Sequence, residues 1–176
     1  MIYPIYIYGE DVLRKKADDV ALNDASLSQL IDDMFKTMHY AQGVGLAAPQ
    51  IGISKKIIVV EEEIQVGVLF KGVFINPEII SYGGYFIKFT EGCLSFPELK
   101  IEVERPAFID VKWFDENKEF HRELFAGIKA IILQHEIDHL NGTMFIDRIH
   151  PEEKLKLFMK LEDIKNKKIK TFYSIK

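Results

Sequence analysis

The 176 residues, 48% hydrophobic and 28% charged, fit one soluble globular domain spanning residues 1–176, large enough to bury a real core. A net charge of −4 and a pI near 5.8 give no global reason to expect nucleic acid, so no specific DNA partner is expected. The single cysteine, Cys93, excludes an intramolecular disulfide framework and points to a reducing compartment, the cytoplasm.

Met1 to Tyr8 lack a basic leader and meet Glu10 and Asp11 early, so neither a secretory nor a transit peptide is expected. No apolar run approaches the length of a bilayer span, which predicts no membrane partner. From Leu27, the residues Leu30, Ile31, Met34, Phe35 and Met38 recur at helical spacing, with Asn23, Asp24 or Ser26 as the cap. This predicts an N-terminal amphipathic helix that stops at Gly43-Val44-Gly45. Leu46 to Gln50 read as loop, because Pro49 excludes helix.

Lys56–Glu61, Val66–Ile75 and Tyr82–Phe89 are β-branched or aromatic, with turns or bulges at Gly72, Asn76-Pro77 and Gly83-Gly84. Ile101–Glu104 follows Pro97, and Ala107–Phe114 with Lys118–Leu124 flank Asp115-Glu116-Asn117 as a hairpin. Phe125–Leu140 is apolar nearly all round, which predicts a buried helix closed by Asn141-Gly142. A last helix, about 151–168, begins at Pro151 with Glu152 and Glu153 in its first turn. The predicted class is α+β, with antiparallel sheets around a buried central helix.

That central helix carries Gln134-His135-Glu136-Ile137-Asp138-His139, a His-Glu-x-x-His pattern. Histidines four apart share a helical face and reach one cation, while Glu136 projects beside it as a general base for water. A catalytic site of this kind wants a third donor. The metzincin pattern would place a histidine where Phe145 stands, so that form of protease loses its ligand. The lone thiol in Glu91-Gly92-Cys93-Leu94-Ser95 is the chosen third donor, against the alternative of a small buried hydrophobe. In Gly43-Val44-Gly45-Leu46-Ala47-Ala48-Pro49-Gln50 the small residues let a ligand or backbone approach closely, and Gln50 ends the segment with an amide. It is not a phosphate loop: it follows a helix and lacks Gly-Lys-Ser/Thr.

Taken together, the three segments resemble peptide deformylase. That family carries Gly-x-Gly-x-Ala-Ala-x-Gln, Glu-Gly-Cys-Leu-Ser and Gln-His-Glu-x-x-His, and residues 43–50, 91–95 and 134–139 match every specified position. The resemblance implies hydrolytic removal of the N-formyl group from the initiator methionine of nascent polypeptides, with release of formate. It implies Cys93, His135 and His139 as metal ligands, Glu136 as acid/base, and Gln50 with the Leu94 N–H as oxyanion donors. It further implies Gly45 on the substrate backbone and Val44, Phe89, Ile128 and Ile131 as an apolar methionine pocket. The implied cofactor is one divalent ion, Fe(II) in the cell, with zinc, nickel or cobalt also accepted by such donors.

Lys100 stands where many relatives carry arginine, and Glu104 precedes Arg105 where proline is common, which leaves this strand's contacts with a peptide open. Lys165, Lys167, Lys168 and Lys170 read as a solvated face, but in the bacterial relatives that the chain resembles, a C-terminal helix contacts the ribosome, and a basic end suits RNA phosphates. Two other readings compete: a zincin-type metallopeptidase, and a non-catalytic ribosome-associated peptide-binding module with a structural metal.

Overall fold

The computed structural model describes residues 1–176. The helical spacing from Leu27 becomes helix α1 (Leu27–Tyr40), whose Leu27, Leu30, Ile31, Met34 and Met38 are buried. Of the three candidate caps, Ser26 holds the cap position but its side chain bonds no helical N–H; Asp24 instead closes a turn before the helix, its carboxylate accepting from the Ser26 N–H at 2.9 Å and the Ser26 hydroxyl at 2.6 Å. The apolar face of α1 packs on Leu46, Val59, Val73 and Ile75. Each large apolar side chain so buried stabilises the fold by roughly 1.5–3 kcal/mol.

Five strands form one antiparallel sheet in sequence order: β1 (Gly45–Ala47), β2 (Ile57–Gln65), β3 (Val68–Cys93), β4 (Phe96–Phe114) and β5 (Phe120–Ala126). The sequence reading is corrected here in three ways. Leu46–Gln50 is not loop: Leu46 and Ala47 belong to β1, and Ala48–Ile51 is a short 3-10 helix with Pro49 in its first turn, where a missing N–H costs nothing. The segments expected as separate strands merge into β3 and β4, because Asn76-Pro77 and Gly83-Gly84 are bulges at which the pairing shifts without ending. A bulge absorbs the extra residue and leaves proline with no ladder bond to donate. Finally there is one sheet rather than several, and every strand from β1 to β5 contacts the central helix.

That helix, α2, runs Gly127–Leu140, two residues later than expected, since Phe125 and Ala126 are paired with Ile109 and Phe108. Every residue from Ala130 to Leu140 is buried. Between α2 and the sheet lies an aromatic cluster of Phe70, Phe74, Trp113 and Phe125, with Phe74 and Trp113 centroids 5.0 Å apart. Gly142 (φ 70°) ends the helix as predicted; a Cβ there would come within 2.5 Å of the Arg14 carbonyl.

The last helix is also two, α3 (Pro151–Lys156) and α4 (Phe158–Lys165), separated at Leu157, whose N–H bonds to the Lys154 carbonyl in a tight turn. Leu161 and Ile164 bury themselves against Ile7, Leu13 and Phe145, whereas Phe158 faces solvent. The chain then turns back and lies beside Ile5, with Ile5 N–H donating to the Ser174 carbonyl and Lys176 N–H to the Ile5 carbonyl, both at 2.8 Å.

Candidate active site

β3 ends and β4 begins in a two-residue turn, Leu94-Ser95, closed by pairing of Cys93 with Phe96. The turn brings Cys93 against the face of α2 that carries both histidines. Cys93 Sγ lies 3.2 Å from His139 Nε2, and the donor atoms of Cys93, His135 and His139 all fall within 4.8 Å of one another. Two ligands at the usual metal–sulfur and metal–nitrogen lengths sit about 3.5 Å apart in a tetrahedral site, so the trio fits a divalent ion. The field fits as well. Burial lowers the proton affinity of His135, yet Cys93, Glu91 and Glu136 raise it well above the ordinary imidazole value, so the spot draws positive charge. Burial holds His139 well below that value, with its lone pair free for a cation.

Glu136 is buried, and its Oε2 has no hydrogen-bond partner. Burial, partly offset by the charge of His135, pushes its carboxyl up to about 7. Gly45 lies directly against it: a Cβ at that position would be 2.5 Å from Glu136 Oε1. Gln50 is oriented at both ends of its amide. Its Oε1 accepts from the Ala47 N–H at 2.9 Å, while Nε2 donates to Ser95 Oγ at 3.3 Å and lies 3.6 Å from Cys93 Sγ.

A cavity of about 650 Å³ opens over this floor, and Val44, Gly45, Gln50, Cys93, Leu94, His135 and Glu136 all line it, as does Lys100. His139 sits behind them. Phe89 is exposed on β3 opposite Val103, Ile128 packs against the aromatic cluster, and Ile131 is buried; none of the three lines this cavity. Glu104 points to an ion pair with Lys88 at 3.6 Å. Phe145, at the position a metzincin would use for its third histidine, is core, packed edge-on to Phe96 with centroids 4.9 Å apart.

Several residues to which the sequence reading gave no role support the site. Glu91 Oε2 accepts from His135 Nδ1 at 2.7 Å. Arg105, 1% exposed, donates from Nη2 to Glu91 at 2.9 Å and from Nη1 to Asp138 at 2.8 Å, and Arg148 Nε donates to Asp138 at 2.5 Å. Burial opposes ionisation of Glu91, but Arg105 and His135 outweigh it and bring its carboxyl down to about 2. Two buried carboxylates thus meet two guanidiniums, and each charge is paired. A signal for this existed: Asp138 lies in a helix apolar on every side, where a carboxylate needs a buried cation. Gln134 has its own task, donating to the Pro106 carbonyl at 3.0 Å.

Three converging cation donors beside a buried, partnerless carboxylate, on the floor of an open cavity, are the equipment of a hydrolase. The pattern that defines the family described as polypeptide deformylase matches residues 2–155. Among curated relatives, the peptide deformylase of Christiangramia forsetii is 39% identical, covering 100% of this chain and 96% of the relative. The crystal structure of a peptide deformylase from Legionella pneumophila is similar at 40% identity and a TM-score of 0.84, covering 96% of this chain and 98% of that one. A second, from Synechococcus elongatus in complex with actinonin, is 38% identical with a TM-score of 0.81, covering 94% and 87%. The chain belongs to the polypeptide deformylase family and is an enzyme of that family.

Proposed function

We propose that this enzyme removes the formyl group from the N-terminal formylmethionine of nascent polypeptides and releases formate. The observation that carries the reading is the convergence of Cys93, His135 and His139 beside Glu136. Those three residues would hold one divalent ion, Fe(II) in the cell, which supplies a Lewis acid at the formyl carbonyl and makes water more acidic. Glu136 takes the proton of the attacking water as its oxygen bonds to the formyl carbon, and returns it to the amine nitrogen as the C–N bond breaks. Burial, which favours the neutral form of the Glu136 carboxyl, suits it to hold the proton between the two transfers.

Gln50 Nε2 and the Leu94 N–H donate to the oxygen as it gains charge, each such donor being worth ~3 kcal/mol. Gln50 suits this task because its other end is tied to Ala47. Gly45 bonds the peptide backbone where no side chain fits. Of the four residues expected to take the methionine side chain, Val44 lines the cavity and is assigned that role, whereas Phe89, Ile128 and Ile131 lie outside it.

No helix is long and apolar enough to cross a membrane. The cytoplasm, where polypeptides begin, is the proposed compartment, and the exposed Lys165, Lys168 and Lys170 are the proposed ribosome contact, while Lys167 pairs with Glu10 at 3.2 Å. Anaerobic purification with metal analysis, followed by turnover of formyl-Met-peptide against acetyl-Met-peptide, tests the reading. Equal cleavage of the acetyl peptide, or cleavage of an internal bond with the formyl group untouched, would overturn it.

A further inference from the structure

The segment after α4 returns to the active site. Its backbone is fastened to Ile5, and Thr171 Oγ1 donates to the Tyr173 carbonyl at 2.6 Å, which closes a tight turn around Tyr173. The phenol is thereby aimed at the Leu94-Ser95 turn, where its hydroxyl donates to the Leu94 carbonyl at 2.9 Å, and the ring forms part of the cavity wall. The same turn is held elsewhere by Tyr8 N–H donating to the Ser95 carbonyl at 2.9 Å and by Gln50 Nε2 on Ser95 Oγ at 3.3 Å. The Leu94 side chain packs over Gly43, where a Cβ would come within 2.7 Å of Leu94 Cδ1.

We propose that Tyr173 is a positioning residue for the reaction: by holding the Leu94 carbonyl it fixes the peptide plane between Leu94 and Ser95, and so the place of the turn from which the Leu94 N–H projects into the cavity. The inference rests on the assignment of that N–H to the oxyanion. Ser95 is tied at its carbonyl and its hydroxyl, and Cys93 is tied through pairing with Phe96. Leu94 is the hinge between them, and the phenol supplies the bond at its carbonyl. An oxyanion donor acts only within a few tenths of an ångström of its place, so the rotation of one residue decides whether it contributes. Burial pushes the Tyr173 hydroxyl up to about 12, so it stays a proton donor at any pH used for assay.

Tyr173→Phe removes the hydroxyl and keeps the ring against the core. With formyl-Met-peptide, kcat should fall about tenfold, part of the 100- to 1,000-fold that loss of a whole oxyanion donor costs. KM should stay within about twofold and the metal content should match the wild type, while the melting temperature should fall by no more than the few degrees that one lost hydrogen bond costs. Amide exchange at Tyr8, whose N–H bonds the Ser95 carbonyl of the same turn, should quicken in Tyr173→Phe relative to the wild type. An unchanged kcat overturns the proposal. So does a fall in kcat accompanied by loss of melting temperature and metal, since that marks a tail anchor with no bearing on the donor. Tyr40→Phe, which loosens the tail at Phe172 without touching Leu94, should leave kcat alone; equal loss there also overturns it. If the wild type releases no formate, the assigned function fails, and the exchange rate at Tyr8 still decides whether Tyr173 holds the turn.

Discussion

Glu91 fixes His135: its Oε2 accepts from Nδ1 at 2.7 Å, which leaves Nε2 to face Cys93 and His139. A carboxylate on the far nitrogen of a ligating imidazole sets the tautomer and raises the ring's basicity. Glu91 can play that part because Arg105 keeps it ionised and holds both of its oxygens. Glu91→Ala is therefore expected to weaken metal binding about 10- to 100-fold. It should also destabilise the fold by about 3–5 kcal/mol, because Arg105 is left buried with one partner fewer. Metal retained after dialysis and the urea midpoint measure the two effects, and a variant that matches wild type in both would remove Glu91 from the site.

Glu136→Gln keeps the shape of the side chain and removes its proton transfer. Turnover of formyl-Met-peptide should drop about 100- to 10,000-fold, with metal content and melting temperature unchanged. Full activity in this variant would end the proposed mechanism.

Cys93→Ala should strip the site of its ion. Two imidazoles remain, and a thiolate lost from a three-ligand set leaves too little to hold a divalent cation against dialysis. Metal analysis before and after dialysis checks this, and undiminished content would exclude Cys93 as a ligand.

Gly45→Ala would place a methyl group 2.5 Å from Glu136 Oε1. The carboxylate must move, and a displacement of about 1 Å at a reacting group costs on the order of 100-fold in rate. The expected result is a loss of kcat with bound metal retained; wild-type kcat would show that Glu136 has room to spare.

Acid should weaken the tether between the first 3-10 helix (Asp11–Arg14) and the segment after α2. Asp147 is partly buried, which opposes its charge, but Arg14, the Met144 N–H at 2.9 Å and Lys154 at 3.1 Å hold its carboxyl below 3.8. A carboxylate depressed in the folded state adds stability above its unfolded value and gives it up as pH falls through the folded one. Urea midpoints of wild type and Asp147→Asn should differ at pH 7 and converge once the pH has fallen past the ordinary carboxylate range and through the depressed value of Asp147. A gap that persists there would mean that the charge of Asp147 contributes nothing.

Much of the local structure was legible in the order of residues. The spacing from Leu27 to Met38 gave α1, since neighbours three and four apart define a helical face without any distant partner. His135, Glu136 and His139 needed only helical geometry to share a site, and Gly142 needed only its own backbone to end α2. The merging of strands into β3 and β4 was not legible. Asn76-Pro77 and Gly83-Gly84 have the composition of turns, and whether such a pair ends a strand or bulges within it depends on whether a partner continues past it.

The sequence by itself determined the chemistry of the donors and their placement along α2. The tertiary structure decided which distant groups complete them: Cys93 meets His139 across 46 positions, Arg105 meets Asp138 across 33, and Tyr173 meets Leu94 across 79. The reason is physical. Contacts within a helical turn follow from backbone geometry alone, whereas long-range pairs exist only once the sheet register and the packing of α2 have been fixed by burial spread over the whole core.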